Sequence, residues 1–118
     1  MITVRLKNIV VREHCNVDFT GDCVYIAAEG HSGTGIKGED IVCAGVSSLT
    51  QSCIIAISRV LKIRQDVVQR DGFLESAVPV TGIGGESLSM LKAVIGMMVA
   101  GLLEIKEGSP GSIEIIYE

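Results

Sequence analysis

A histidine and a cysteine, His31 and Cys43, stand twelve residues apart around a glycine-rich run, GHSGTGIKGEDIVCAG. A thiol becomes a strong nucleophile when a base takes its proton, and imidazole is the side chain suited to that near neutral pH. Such a pair can attack a carbonyl. The sulfur forms the acyl bond, and the imidazolium returns the proton to the leaving group. The same run holds Gly33-Thr34-Gly35-Ile36-Lys37-Gly38, which fits G-x-G-x-x-G, the pattern of a dinucleotide cradle. The two chemistries make different demands on the elements around them.

Those elements are readable from periodicity. Ile2, Val4 and Leu6 alternate with Thr3, Arg5 and Lys7, which predicts a half-buried strand over residues 2–11. Residues 12–22, with Asn16, Asp18, Gly21 and Asp22, read as a turn-rich connection, and residues 23–28 as a second strand. Four glycines make residues 30–39 a loop. Asp40 is a good N-cap for a helix from Ile41 to about Leu61. Asp71-Gly72 between VVQR and FLES predicts a tight hairpin within residues 66–80. Leu88, Leu91, Ile95, Met98, Leu102 and Ile105 recur at threes and fours, the mark of a second long helix. Met97, Val99 and Leu103 widen its stripe. Gly108, Pro110 and Gly111 end it, and residues 112–117 alternate as a last strand. The order β-β-α-β-β-α-β predicts one α+β domain over residues 1–118. Its two layers are a mostly antiparallel sheet of about five strands and two long helices on one face.

With Asp40 as cap, Cys43 falls at the third helical position. Partial positive charge there favours a thiolate by about 0.3–1 kcal/mol, too little to ionise it without a base. First-turn amides would also be free to hold an oxyanion. Ser47 lies one turn on and shares the face of Cys43, so it orients the thiol or substrate, or is simply a small residue at a helix crossing. Gly33, Gly35 and Gly38 would let the loop approach a substrate backbone. Asp40 and Asp22 are the carboxylates nearest in sequence for a third, orienting role. Cys53 is about 80° around the helix from Cys43 and reads as core. Cys15 and Cys23 read as structural and His14 as solvated. The dinucleotide reading is weakened because the cap falls after the last glycine, where a carboxylate repels phosphate. The chain is also short for a doubly wound sheet, and a hairpin follows the helix.

Composition narrows the classes. The net charge is −4 and no basic run of five or more residues occurs, so direct nucleic-acid binding is not expected. The four cysteines lack C-x-x-C spacing, so structural zinc is not expected, and no cofactor is implied. MITVRLKNIVV has no apolar leader core, which with free thiols predicts a cytoplasmic protein. Residues 88–105 approach membrane-spanning length, but Lys92 within them argues for a core helix. Both helices are apolar on more than one face, which predicts a homodimer.

The motif Gly30-His31, Gly38, Asp40-Ile41-Val42-Cys43-Ala44, Val46-Ser47 and Leu49 resembles the signature of the ribosomal-processing cysteine proteases. The His31–Cys43 spacing agrees with it. Asp71-Gly72-Phe73-Leu74 is similar to the family's hairpin, and Leu102–Ile105 to the end of its last helix. The resemblance implies small cytoplasmic homodimers that remove an N-terminal extension from large-subunit ribosomal protein twenty-seven. It implies Cys43 as nucleophile, His31 as base, and a loop from Ser32 to Glu39 covering the site. The acidic charge suits a basic ribosomal substrate. Residues 12–23 stand apart from the pattern as an insertion. Two alternatives remain open: a non-catalytic ribosome-assembly or dimerisation module of the same fold, and a small nucleotide-binding protein using the GTGIKG loop.

Overall fold

The computed structural model describes residues 1–30 and 37–118, with the backbone alone for residues 37–40. The alternation at the start forms β1 (Ile2–Lys7), with Ile2, Val4 and Leu6 buried and Arg5 and Lys7 exposed. β1 is shorter than the expected strand over residues 2–11. Asn8 takes φ 62° and breaks it, a conformation that asparagine tolerates better than most residues. Its side-chain amide donates to the Cys23 carbonyl at 2.8 Å and holds the break. The chain then leaves the sheet as β2 (Ile9–Val11), which pairs with β3 (Val17–Phe19) in a separate antiparallel ribbon. The expected plain connection over residues 12–22 therefore contains a strand, too short to show a period. Arg12 and Lys92 hydrogen-bond to the Asp18 carboxylate, holding its pKa below the ordinary 3.8 and tying the ribbon to the second helix.

The main sheet adds β4 (Cys23–Glu29), β5 (Asp66–Arg70), β6 (Phe73–Pro79) and β7 (Ile113–Tyr117). Its order is β5-β6-β4-β1-β7, antiparallel except between β1 and β7. The predicted hairpin is present, with Asp71-Gly72 as its turn. α1 (Lys37–Arg59) carries the chain from β4 past β6 to β5, and α2 (Gly85–Gly108) carries it from β6 past β4 and β1 to β7. The two starting strands are antiparallel and the two crossovers travel in opposite directions. Two right-handed connections then place both helices on one face.

The core lies between. Val4, Leu6, Val24, Ile26 and Val78 of the sheet meet Val46, Cys53 and Ile57 of α1 and Leu91, Ile95, Met98, Val99 and Leu102 of α2. Each large side chain buried this fully contributes about 1.5–3 kcal/mol. Val99, expected to widen the stripe of α2, is core at 0% exposure, whereas Met97, expected beside it, is 57% exposed. α1 and α2 are close where Gly101 faces Leu49: a Cβ there would lie 2.8 Å from a Leu49 methyl. Both helices are long and apolar enough to cross a membrane by length and composition, and the apolar stripe of α2 is packed on the sheet.

The first helix departs from expectation at its start. It begins at Lys37, so Gly38, Glu39 and Asp40 are helical rather than loop and cap. An acidic residue suits the first turn as well as the cap, and one glycine there costs only about 1 kcal/mol. The sequence pattern therefore did not fix the boundary.

Candidate active site

Cys43, Ser47 and Gln51 follow at intervals of four on α1 and share one face. Val46 and Thr50 sit beside them. Thr50 is buried, and its hydroxyl donates to the Val46 carbonyl at 2.9 Å. Facing this stripe are Ile2 of β1, Ala28 and Gly30 at the end of β4, and residues 69–74 of the β5–β6 hairpin. Together they enclose a cleft of about 390 Å³, within the range of ligand sites.

Gly30 anchors the corner of the cleft. It takes φ 103°, and a Cβ would lie 2.6 Å from the Met1 carbonyl oxygen, so only glycine fits. Its N–H donates to the Gly72 carbonyl at 2.9 Å. The residue just before His31 is thus tied to the hairpin turn. Arg70 lies over the Phe73 ring, 4.1 Å from its centroid, which steadies the aromatic wall.

Of the residues singled out by sequence, Cys43 and Ser47 come together in this cleft. His31, Gly33 and Gly35, and with them residues 32–36 of the covering loop expected from Ser32 to Glu39, lie outside the described residues, and the remainder of that loop is helical in α1. Gly38 and Asp40 are in the first turn of α1. Cys43 is therefore the seventh helical residue, in the second turn, not the third. The helix dipole acts mainly on the first turn, so the stabilisation expected for a third helical residue does not apply at this position. The Cys43 amide lies beyond the four free N–H groups and bonds within the helix, so it is not an oxyanion donor. Ser47, one turn on and lining the same cleft, carries the nearest side-chain donor on that face, whereas Gln51 lies about 12 Å along the helix.

Asp22 precedes β4, at the far end of that strand from Gly30, and accepts from the Thr81 hydroxyl at 3.3 Å. That distance along the strand removes it as an orienting group. Asp71, read from sequence only as a turn residue, lines the cleft. Gln51, Gln69 and Phe73 were also missed. The signal for Gln51 was its interval of eight from Cys43, whereas the hairpin residues carried none, because only the fold brings them there.

Cys53 is fully buried, and desolvation pushes its pKa up to about 12. Cys43, by contrast, is partly exposed. The dinucleotide cradle loses its context, since β4 is flanked on both sides by antiparallel neighbours rather than by a parallel β-α-β partner.

A thiol on a cleft wall matches what the family comparison finds. The family model of cysteine protease Prp matches residues 9–114. The chain belongs to the Prp family. It is a cysteine protease. Among solved structures it is similar to the essential ribosomal processing protease Prp of S. aureus in complex with a substrate peptide. The identity is 25% and the TM-score 0.70, over 100% of both chains. The S. aureus Prp bearing a covalently linked product peptide is 27% identical, with a TM-score of 0.69 over 100% of both chains. SMU.848 from Streptococcus mutans shares the fold at 22% identity and a TM-score of 0.64, over 100% of this chain and 96% of that one. No curated protein matches the sequence. The Prp fold agrees with the α+β architecture expected from sequence, two helices on a mixed five-stranded sheet.

Proposed function

We propose that this Prp-family protease removes the N-terminal extension of large-subunit ribosomal protein twenty-seven, with Cys43 as nucleophile and His31 as base. One observation carries the reading. Cys43 is the only cysteine lining the cleft among the described residues, and the strand leading to His31 ends at that cleft's Gly30 corner. The S. aureus relatives, ribosomal processing proteases in complex with a substrate peptide and a covalently linked product peptide, support the choice of partner.

The steps follow from the residues. His31 takes the Cys43 proton, and Sγ bonds to the scissile carbonyl carbon. The developing oxyanion accepts from Ser47, one turn along the same helix face. His31 returns the proton to the leaving amine, the C–N bond breaks, and water then hydrolyses the thioester. Glycine at positions 33 and 35 would permit close approach to a peptide backbone. The protein acts in the cytoplasm as a homodimer, and needs no metal or direct contact with nucleic acid.

The test is the N-terminus of ribosomal protein twenty-seven in cells with and without this enzyme. The extension should persist when the enzyme is depleted. A mature N-terminus after depletion would contradict the assignment of substrate.

A further inference from the structure

A side-chain bridge joins α1 to the strands that face it, away from Cys43. Ser76 interrupts the inward apolar face of β6 between Leu74 and Val78, and it is fully buried. A hydroxyl in that place is unfavourable unless hydrogen-bonded. It donates to Gln65 Oε1 at 2.5 Å. Gln65 Nε2 in turn donates twice to α1, to the Ile54 carbonyl and to Ser58 Oγ, each at 2.6 Å. A carbonyl can only accept, so the amide nitrogen has to face Ile54, and the orientation of Gln65 is fixed by its partners. Gln65 immediately precedes β5, so one side chain links helix, strand and hairpin.

We infer that Gln65 is a positioning residue that sets the separation of α1 from the β5–β6 hairpin, and thereby the width of the cleft at Cys43. The inference rests on the reading that a peptide is cut in this cleft. On its α2 side α1 is fixed by close packing, with Leu49 against Gly101 and Ile105 against Gly45. On the hairpin side Val78 of β6 joins the core with α1, but β5 offers no such packing, since all five of its residues are exposed. The Gln65 bridge is the polar tie between α1 and the strand pair on that side. Ile54 lies eleven residues from Cys43, about 16 Å along the helix, so a small tilt at the bridge moves the far end. Misplacement by about 1 Å can cost 10²-fold in rate even when its cause is remote from the chemistry.

Gln65→Met keeps the length of the side chain and removes the amide. The readouts are kcat/KM for a peptide spanning the N-terminal extension of the ribosomal protein, and the rate of Cys43 alkylation by iodoacetamide. The expected result is a fall of tenfold or more in kcat/KM with alkylation within twofold of wild type. Ser76→Ala cuts the bridge from the sheet side, and should lower kcat/KM at least threefold, which keeps the test open if Gln65→Met does not fold. A folded variant with kcat/KM within twofold of wild type overturns the inference, as does a parallel loss of alkylation. Wild-type enzyme that is alkylated but leaves the peptide intact would instead overturn the underlying reading of function.

Discussion

Two cysteines on one helix have opposite environments. Cys53 is packed among Val46, Ile57 and the stripe of α2, and its raised pKa is a consequence of desolvation alone. Cys43 reaches a cleft. Near neutral pH, iodoacetamide should label Cys43 at least about tenfold faster than Cys53, read by peptide mass mapping. Cys53 also predicts a pH dependence. Its ordinary value is 9.0 and its folded value about 12, so above pH 9 the unfolded chain loses a proton that the folded chain keeps. Stability from this group is complete below about pH 9. It is lost as pH rises toward 12, by about 1.4 kcal/mol per pH unit. Cys53→Val should flatten the alkaline arm of the stability profile in denaturant titrations; an unchanged slope would mean that other groups dominate. Gly30→Ala is expected to cost about 2 kcal/mol or more, since it forces a side chain into positive φ and against a backbone oxygen. It should also slow cleavage, because it shifts the residue just before His31.

The hairpin offers a sharper contrast at the scale of elements. Val68 on β5 is exposed and Val78 on β6 is fully buried. Val68→Thr should change stability by less than about 0.5 kcal/mol, whereas Val78→Ala should cost about 2 kcal/mol. Equal effects in urea unfolding would mean that β5 is covered by something else. This contrast also shows where sequence patterning succeeds. Alternation at Ile2, Val4 and Leu6, and the threes and fours from Leu88 to Ile105, report burial directly, so both elements were legible. The Asp71-Gly72 turn was legible from its residue types. The start of α1 was not, because Asp40 is as acceptable in a first turn as at a cap. β3 was not, because three residues carry no period. The candidate nucleophile was visible as a local motif. The opposite wall of its cleft, from Gln69 to Leu74, was visible only as a hairpin, since its approach to Cys43 depends on sheet order.

The whole molecule leaves apolar side chains uncovered on its helical layer. Ile41 and Ile55 on α1 and Met90 and Met97 on α2 are all more than 40% exposed. A two-fold dimer would bury such a surface against its own copy. Sedimentation at micromolar concentration should give about twice the chain mass, and Met97→Asp should shift the species toward monomer. A soluble wild-type monomer would contradict the dimer. The proposed cleavage depends on one thiol in one cleft. Its most direct test is intact-mass spectrometry of ribosomal protein twenty-seven, incubated with wild-type enzyme and with Cys43→Ala. Wild type should remove the N-terminal extension, and folded Cys43→Ala should leave it in place. Removal at the wild-type rate by Cys43→Ala would show that this sulfur is not the nucleophile.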